Sequence, residues 1–372
     1  MRVPARTVLL AALLAAAAPV LAEEPASPGP VRVGTPPAAL AAQAGERLGG
    51  DFARADVPVE VASAGDRARV AASWLAEAFA PADAPACRGV LAALGLPPTG
   101  PPAGTLGAAW PADRPAAEDG GKGRVLVPEA LPPLAPEELE LFRLVGLVPF
   151  EIAATGERAR AVAFRHLGPR PADPLLRAAR AARAEGAARL AGIVVTVTGA
   201  GLAGDDVGRA LPELDRDRAG WPRRAIGRLG LDPVRRVLAE AYLRDGLRWA
   251  AYAWLRGGWE GLAAALERPG IGPAALLVPA RRGRTAAAGA GACRLGPRVA
   301  GLLLAGDPDA PVVDRLLDDR WEVVPESGRL RATLRVEEGA VADLLGALPD
   351  GARVVGIRGS TVTLEVPARL PR

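Results

Sequence analysis

The stretch GERARAVAFRHLG, residues 156–168, contains the single histidine of this 372-residue chain, and the prediction of the fold starts from it. Alanine, valine and phenylalanine recur here between arginine and glutamate at spacings typical of a helix, and a glycine-proline pair ends the pattern. We predict a helix over Glu151–Phe164. Glu157 and Arg160 are three residues apart, so such a helix would present both side chains on one face.

A second, alanine-rich helix follows. Asp173 precedes Pro174, which is the usual arrangement of an N-cap residue and a first-turn proline. From there the predicted helix runs through LLRAARAARAEGAARLAGIVV, as far as Val195. It carries Glu185 near its middle.

The order of these segments resembles that of exported bacterial zinc metallopeptidase-like proteins of the gluzincin type, whose central helix reads HExxHALQDQH. Glu157 and His166 agree with that helix. Gly156 and Arg160 stand where the two zinc histidines would be. The segment AARAEGAARLAG places Glu185 where the family has its third zinc ligand.

The resemblance covers most of the chain. LRDGLRWAAYAWLRGGWEGLAAALERP, residues 243–269, looks like the Gly-Gly-Trp helical region of the family, and LVP at 277–279 looks like the motif after it. The resemblance implies a zincin-like helical core with a few short strands. The predicted class is therefore α+β and predominantly helical, in agreement with an apolar content dominated by alanine, leucine and valine.

The zinc chemistry of the family depends on residues that this chain lacks. In HExxH, a spacing of four puts two imidazoles on one helical face, and the glutamate between them polarises a metal-bound water. One histidine and two distant cysteines cannot supply the usual three ligands of a catalytic zinc, and Arg160 adds a permanent positive charge. We therefore expect no metal, no cofactor and no peptidase activity, with a binding or structural role toward a protein or peptide.

Arg160 also suggests what replaces the metal. If the fold is retained, Glu157 and Glu185 point into the former metal cavity, where two carboxylates need a cation or protons. We predict a structural cluster of Glu157, Arg160 and Glu185. The other interpretation is an exposed Glu157–Arg160 pair worth at most about 1 kcal/mol, with Glu185 elsewhere.

Two enzymatic alternatives remain, a metal-free hydrolase and a nucleotide-binding enzyme. Glu157 and Glu185 could form the acid/base pair of a metal-free hydrolase. The glycines of Gly199–Gly204 have the G-x-G-x-x-G spacing of dinucleotide-binding loops, but the run before them reads as the end of a buried helix rather than a strand. His166 lies at a predicted helix end, where histidine commonly caps carbonyls, and no nucleophile can be placed beside it.

The N-terminus has the pattern of an export signal. Arg2 and Arg6 form the basic region, Val8–Ala18 the apolar region, and cleavage is predicted after Ala22. The apolar region is shorter than the roughly 20 residues that span a bilayer, so we expect a periplasmic or secreted protein without a transmembrane segment. Losing two arginines from a formal charge of +4 leaves +2, which argues against a nucleic-acid partner.

The chain is predicted to divide into a signal peptide (1–22), a flexible lead-in (23–36), a metallopeptidase-like domain (37–290) and a C-terminal α+β subdomain (291–372). Other elements are predicted as helices at Leu40–Leu48, Arg67–Phe79, Ala86–Leu94, Asp232–Leu255, Gly258–Leu266 and Arg298–Leu304, strands at Val57–Val61 and 124–127, and a loop at Leu96–Gly104. After Asp319 the pattern indicates two strands, a helix and a terminal hairpin. Cys87 and Cys293 could pair in an oxidising compartment or be two separate buried thiols.

Overall fold

The computed structural model describes residues 35–118, 123–134, 136–203, 206–209, 226–279 and 292–369. The predicted signal peptide, most of the lead-in and the predicted boundary at 290/291 lie outside these ranges. The fold is α+β with helices predominating, as predicted. Among the described residues no helix is both long and apolar enough to cross a membrane.

The helices are α1 Pro37–Gln43, α2 Gly50–Arg54, α3 Ala64–Asp83, α4 Arg88–Ala93, α5 Ala103–Ala108, α6 Pro136–Val145, α7 Pro149–Leu167, α8 Pro174–Gly199, α9 Pro233–Leu266, α10 Pro273–Leu277, α11 Pro297–Ala305 and α12 Val341–Gly346. The strands are β1 Val59–Val61, β2 Ala116–Glu118, β3 Arg124–Val127, β4 Leu316–Val324, β5 Arg329–Val336, β6 Arg353–Arg358 and β7 Thr361–Val366. Short 3-10 turns occupy Ala44–Arg47, Pro85–Cys87 and Pro311–Arg315.

The centre of the molecule is helix α8, which packs against α3, α7 and α9. The N-cap prediction is confirmed, because Asp173 Oδ1 accepts hydrogen bonds from Leu175 N at 2.8 Å and Leu176 N at 3.2 Å. The alanine-rich sequence is buried along most of the helix. Small side chains let neighbouring helices approach closely, so the backbone of α8 lies near those of α7 and α9.

Glycines mark the closest of these approaches. A Cβ atom added at Gly186 would lie 2.0 Å from Gly246 O, and one added at Gly246 would lie 2.0 Å from Ala182 O. On the other side of α8, a Cβ at Gly156 would lie 2.9 Å from Ala188 O. No side chain larger than hydrogen fits these positions without a shift of the helices.

The two helices predicted at Asp232–Leu255 and Gly258–Leu266 are confirmed as the two segments of α9, which a break in the helical backbone separates. Helix α9 is kinked between them at Gly257 and Gly258, and Gly258 has a left-handed φ of 60°. The predicted loop at Leu96–Gly104 is wrong at its end, since α5 already begins at Ala103. That helix is one and a half turns long and starts after two prolines, which hid it in the sequence.

A three-stranded sheet lies beside the helical core in the order β1-β3-β2, with β1 parallel and β2 antiparallel to β3. Two of its strands were predicted, but β2 was not. Ala116 and Ala117 of β2 are fully buried. This strand places a backbone N–H next to helix α7.

The C-terminal part contains an antiparallel sheet in the order β4-β5-β7-β6, which helices α4, α10 and α11 contact. Both predicted strands after Asp319, the helix and the hairpin are confirmed, although β4 begins earlier, at Leu316. Its core also includes Leu91 of α4 and Val234 of α9, so elements far apart in sequence share it. This is the second hydrophobic core of the molecule, beside the one around α8. Cys87 and Cys293 form a disulfide within this second core.

Candidate functional site

The site is built around Arg160, whose guanidinium is buried between helices α7, α8 and α9. The residue is only 2% exposed. Its Nε donates to Glu157 Oε2 at 2.9 Å, and its Nη2 lies 2.5 Å from Glu185 Oε2 and 3.4 Å from Glu157 Oε1. The structure therefore brings together the three residues of the predicted cluster.

Three further groups complete the surroundings of Arg160. Tyr242 donates its hydroxyl proton to Glu185 Oε2 at 3.2 Å, and its oxygen lies 3.4 Å from Arg160 Nη1. The backbone N–H of Ala117 donates to Glu157 Oε2 at 3.0 Å. The ring of Trp74 lies against the guanidinium, with its centroid 4.0 Å from Arg160 Cζ, which is a cation–π contact.

Three helices contribute the side chains that form the hydrogen-bonded cluster. Glu157 and Arg160 come from one face of α7, Glu185 from the buried middle of α8, and Tyr242 from α9. Because α7 and α8 touch through Gly156, and α8 and α9 through Gly186, the side chains next to these contacts meet in one layer. Strand β2 supplies the main-chain donor.

The ionisable groups of the cluster shift one another's pKa values. Burial raises the pKa of Glu157 more than the charge of Arg160 lowers it, and the Glu185 carboxylate adds to the rise. Burial by itself would lower the pKa of Arg160, but the carboxylates of Glu157 and Glu185 hold this pKa well above its ordinary value. Burial and Glu185 likewise raise the pKa of Tyr242 well above its ordinary value. At neutral pH the guanidinium is therefore charged and the phenol neutral.

The residues at this site do not fit a zinc ion. Gly156 carries no donor atom, and no imidazole fits there because even a Cβ would meet the backbone of α8. Arg160 fills the space between the two carboxylates with a cation of its own. In the described ranges no group of three or more His, Cys, Asp or Glu side chains is arranged to hold a metal.

The carboxylates are also poorly placed for metal-free acid/base work. Glu157 Oε2 accepts two hydrogen bonds, from Arg160 and Ala117, and Glu185 Oε2 accepts two, from Arg160 and Tyr242. Both side chains are less than a tenth exposed. A general base needs a free lone pair that substrate or water can reach, and the Oε2 atom of each glutamate is already occupied by fixed donors.

A small cavity adjoins the cluster on the side of Glu185 and Tyr242. It has a volume of about 30 Å³ and is otherwise lined mostly by apolar and aromatic side chains, among them Trp74, Trp110 and Ile226. A cavity needs about 10–15 Å³ to hold one water, so this cavity has room for about two waters. A peptide does not fit without a rearrangement of the helices.

His166 lies apart from the cluster. It is in the last turn of α7, its Nδ1 lies 3.0 Å from Glu267 Oε1, and its ring stacks on Phe52 with centroids 6.0 Å apart. Glu267 is the C-cap residue that follows Leu266, the last residue of α9. The histidine therefore ties two helix ends together, which agrees with its predicted place at a helix end.

The glycine-rich segment does not form a dinucleotide-binding turn over its described residues. The β-branched run before it forms the last turns of α8, as predicted, and Gly199 is the final residue of that helix. A Cβ at Gly199 would lie 2.7 Å from Val145 O, so this glycine serves the contact between α8 and α6. Gly204 lies outside the described residues.

Tyr242, Trp74 and Ala117 are the members of the site that the sequence did not reveal. The chain has only two tyrosines, and a rare aromatic residue with a polar tip in a predicted helix is the one signal by which Tyr242 could have been found. No family model, curated protein or solved structure matches this chain.

Proposed function

We propose that this chain is an exported, metallopeptidase-like protein that has lost its metal and its peptidase activity and serves in binding or structure. One observation carries the proposal: the Arg160 guanidinium lies between Glu157 and Glu185, the residues that resemble the catalytic glutamate and third zinc ligand of the family. A built-in cation there compensates the charge of both carboxylates, of which only Glu185 matches a zinc ligand of the family.

The closed character of the site supports the same proposal. The carboxylates, the guanidinium and the phenol of Tyr242 bond to one another, and the adjoining cavity admits only about two waters. A peptidase needs an open cleft, a nucleophile and a general base that reach the same scissile bond. The cluster is therefore assigned a structural role, and binding is assigned to another surface.

A peptide-hydrolysis assay tests the loss of activity. The wild type and Glu157→Gln are incubated with unstructured protein substrates, with added zinc or with a chelator. We expect the cleavage rate of both proteins to equal that of the buffer blank. Cleavage by the wild type that the chelator abolishes would overturn the proposal in favour of a zinc peptidase.

The same assay separates the metal-free hydrolase. Cleavage of a substrate by the wild type that persists with chelator and disappears in both Glu157→Gln and Glu185→Gln would support that alternative instead. Export is tested separately, by expressing the full chain with its own N-terminus in a bacterial host. Recovery outside the cytoplasm of a protein that begins at Glu23 is expected, and an uncleaved cytoplasmic chain would contradict it.

A further inference from the structure

The four-stranded sheet ends in a strand whose side chains are all exposed. This strand is β6, and within the described residues it pairs with β7 alone. Val354, Val355 and Ile357 are 43%, 50% and 47% exposed, which is unusual for aliphatic side chains so close together. An edge strand also presents unpaired backbone N–H and C=O groups to a further strand.

A β-bulge determines which side chains share a face. Val355 is the extra residue, since the register passes from Val354 directly to the next pair at Gly356. In a regular strand Arg353 and Arg358 would point to opposite faces, but the bulge puts both on the outer face of the sheet. Val354 and Ile357 then share the inner face, opposite residues of β7 that are fully buried.

On the outer face beside this edge, arginines outnumber acidic side chains. Arg358 of β6 lies opposite Thr361 of β7, and Thr361 lies opposite Arg335 of β5. In the row across the sheet that contains Arg353, the carboxylate of Glu365 lies 2.8 Å from Arg331 of β5. Within the described residues neither Arg353 nor Arg358 forms a close ion pair, although Arg353 lies opposite Glu365 in the register and attracts its carboxylate. Two cations therefore flank an apolar, unpaired edge.

We propose that β6 is the docking strand for an extended acidic segment of a partner protein. The segment adds a fifth strand to the sheet, places apolar side chains beside Val354 and Ile357, and places Asp or Glu opposite Arg353 and Arg358. Opposite charges at directly facing positions stabilise a strand pair. This proposal does not depend on the loss of the metal. It identifies a surface for the binding role proposed above.

A second copy of this chain fits the edge less well. Two copies related by a two-fold axis would pair their β6 strands antiparallel, and the centred register would set Arg353 opposite Arg358 at both ends. Like charges directly opposite each other destabilise a strand pair. The arginines thus disfavour self-pairing and favour a partner of opposite charge.

Two synthetic peptides test the proposal on the full-length protein. One alternates valine and threonine and has two glutamates at each end, and the other has lysines in place of the glutamates. Fluorescence anisotropy should show the glutamate peptide binding at least about tenfold more tightly, with an affinity that falls as salt is added. Amide resonances of residues 353–358 should shift on binding.

Variants locate the site. Ile357→Lys puts a charge on the inner face of the edge and should reduce binding at least about tenfold. Leu255→Lys on helix α9 is the matched control, because Leu255 is 50% exposed and lies outside the sheet; it should leave binding unchanged. Reversing both charges with Arg353→Glu and Arg358→Glu should make the lysine peptide the better ligand. Circular dichroism of each variant checks that it is folded.

Several results would overturn the proposal. They are equal affinity for the two peptides, no binding of either, binding unchanged in Ile357→Lys, or an unchanged preference in the charge-reversed variant. A wild-type dimer in analytical ultracentrifugation that Ile357→Lys dissociates would assign the edge to a second copy instead. Amide shifts outside the sheet would place the peptide at another site.

Discussion

At the scale of single residues, Arg160 is the cation that lies between the two buried carboxylates of Glu157 and Glu185. Removing one partner of a buried ion pair leaves an uncompensated charge and typically destabilises a protein by about 3–5 kcal/mol. We predict a loss of this size for Arg160→Met in the free energy of unfolding, measured by urea denaturation. The triple variant Glu157→Gln, Arg160→Met, Glu185→Gln should recover much of it, because no charge is left buried.

The exposed pair of Arg54 and Asp51 is the matched comparison. It has the same i,i+3 spacing and the same order, with the acidic residue first, but both side chains are more than half exposed. Arg54→Met should therefore change stability by less than about 1 kcal/mol. Equal effects of the two arginine substitutions would contradict a structural role for the buried cluster.

The raised pKa of Glu157 predicts a dependence of stability on pH. A carboxyl whose pKa is higher in the folded than in the unfolded state contributes stability that is fully present below the unfolded pKa and is lost as the pH rises through the folded pKa. Wild type should therefore be most stable relative to Glu157→Gln at the acid end. The difference should shrink as the pH rises above about 4.3.

This difference is measured by urea denaturation of the two proteins across the acid range. Comparing them cancels the contributions of carboxyls that they share, including Glu365 and Asp309, whose pKa values are lowered. An advantage of the wild type that grows with pH would mean that Arg160 depresses the pKa of Glu157, contrary to the account.

Local patterns in the sequence predicted those contacts of the site whose residues are close together in the chain, and missed those between distant residues. Glu157 and Arg160 are three residues apart on one helix, so helical periodicity alone places them together. Glu185 entered only through the resemblance to a peptidase family. Tyr242 is 57 residues from Glu185 and Ala117 is 40 from Glu157, and such contacts depend on how helices and a sheet edge pack, which local patterns do not encode.

At the scale of elements, the crossing of α8 and α9 depends on glycine. We predict that Gly186→Ala destabilises the protein by roughly 1–3 kcal/mol, since its Cβ would lie 2.0 Å from Gly246 O and would force the helices apart. Gly192→Ala on the same helix is the control. Its Cβ meets Ile152 Cγ2 at an ordinary 3.5 Å, so better helix propensity should add about 0.5–1 kcal/mol.

Thermal or urea unfolding of both variants checks this expectation. The account requires opposite signs for the two substitutions. If Gly186→Ala stabilised the protein as much as Gly192→Ala, the close approach of α8 and α9 would be wrong, and with it the geometry that brings Glu185 to Arg160.

Element boundaries were predictable where a residue gives a local physical reason for them. Asp173 with Pro174 starts α8, and the non-helical pair Gly257 and Gly258 divides α9 into the two helical segments that were expected. Strand β2 was missed because its three residues, two of them alanine, carry no alternating pattern. It is a strand because it pairs with β3, which is a long-range effect.

At the scale of the whole molecule, the disulfide joins parts of the chain that are 206 residues apart in sequence. It links the segment before α4 to the start of the C-terminal part, within the second core. Replacing both Cys87 and Cys293 by serine should lower the free energy of unfolding by about 2–5 kcal/mol, because the cross-link restricts the unfolded chain.

Thiol counting and urea unfolding check this prediction together. Unreduced protein in denaturant should show no reactive thiol, and reduced protein should show two. Reductant should weaken the wild type but not the double variant. Two reactive thiols before reduction would establish separate cysteines.

Zinc binding by the purified protein is the most direct test of the central claim that Arg160 takes the place of a metal. Equilibrium dialysis against micromolar zinc, followed by elemental analysis, should find far less than one tightly held zinc per chain, and the same small amount in Glu185→Gln. The account would be contradicted by one zinc per chain that survives dialysis into metal-free buffer and is lost in Glu185→Gln.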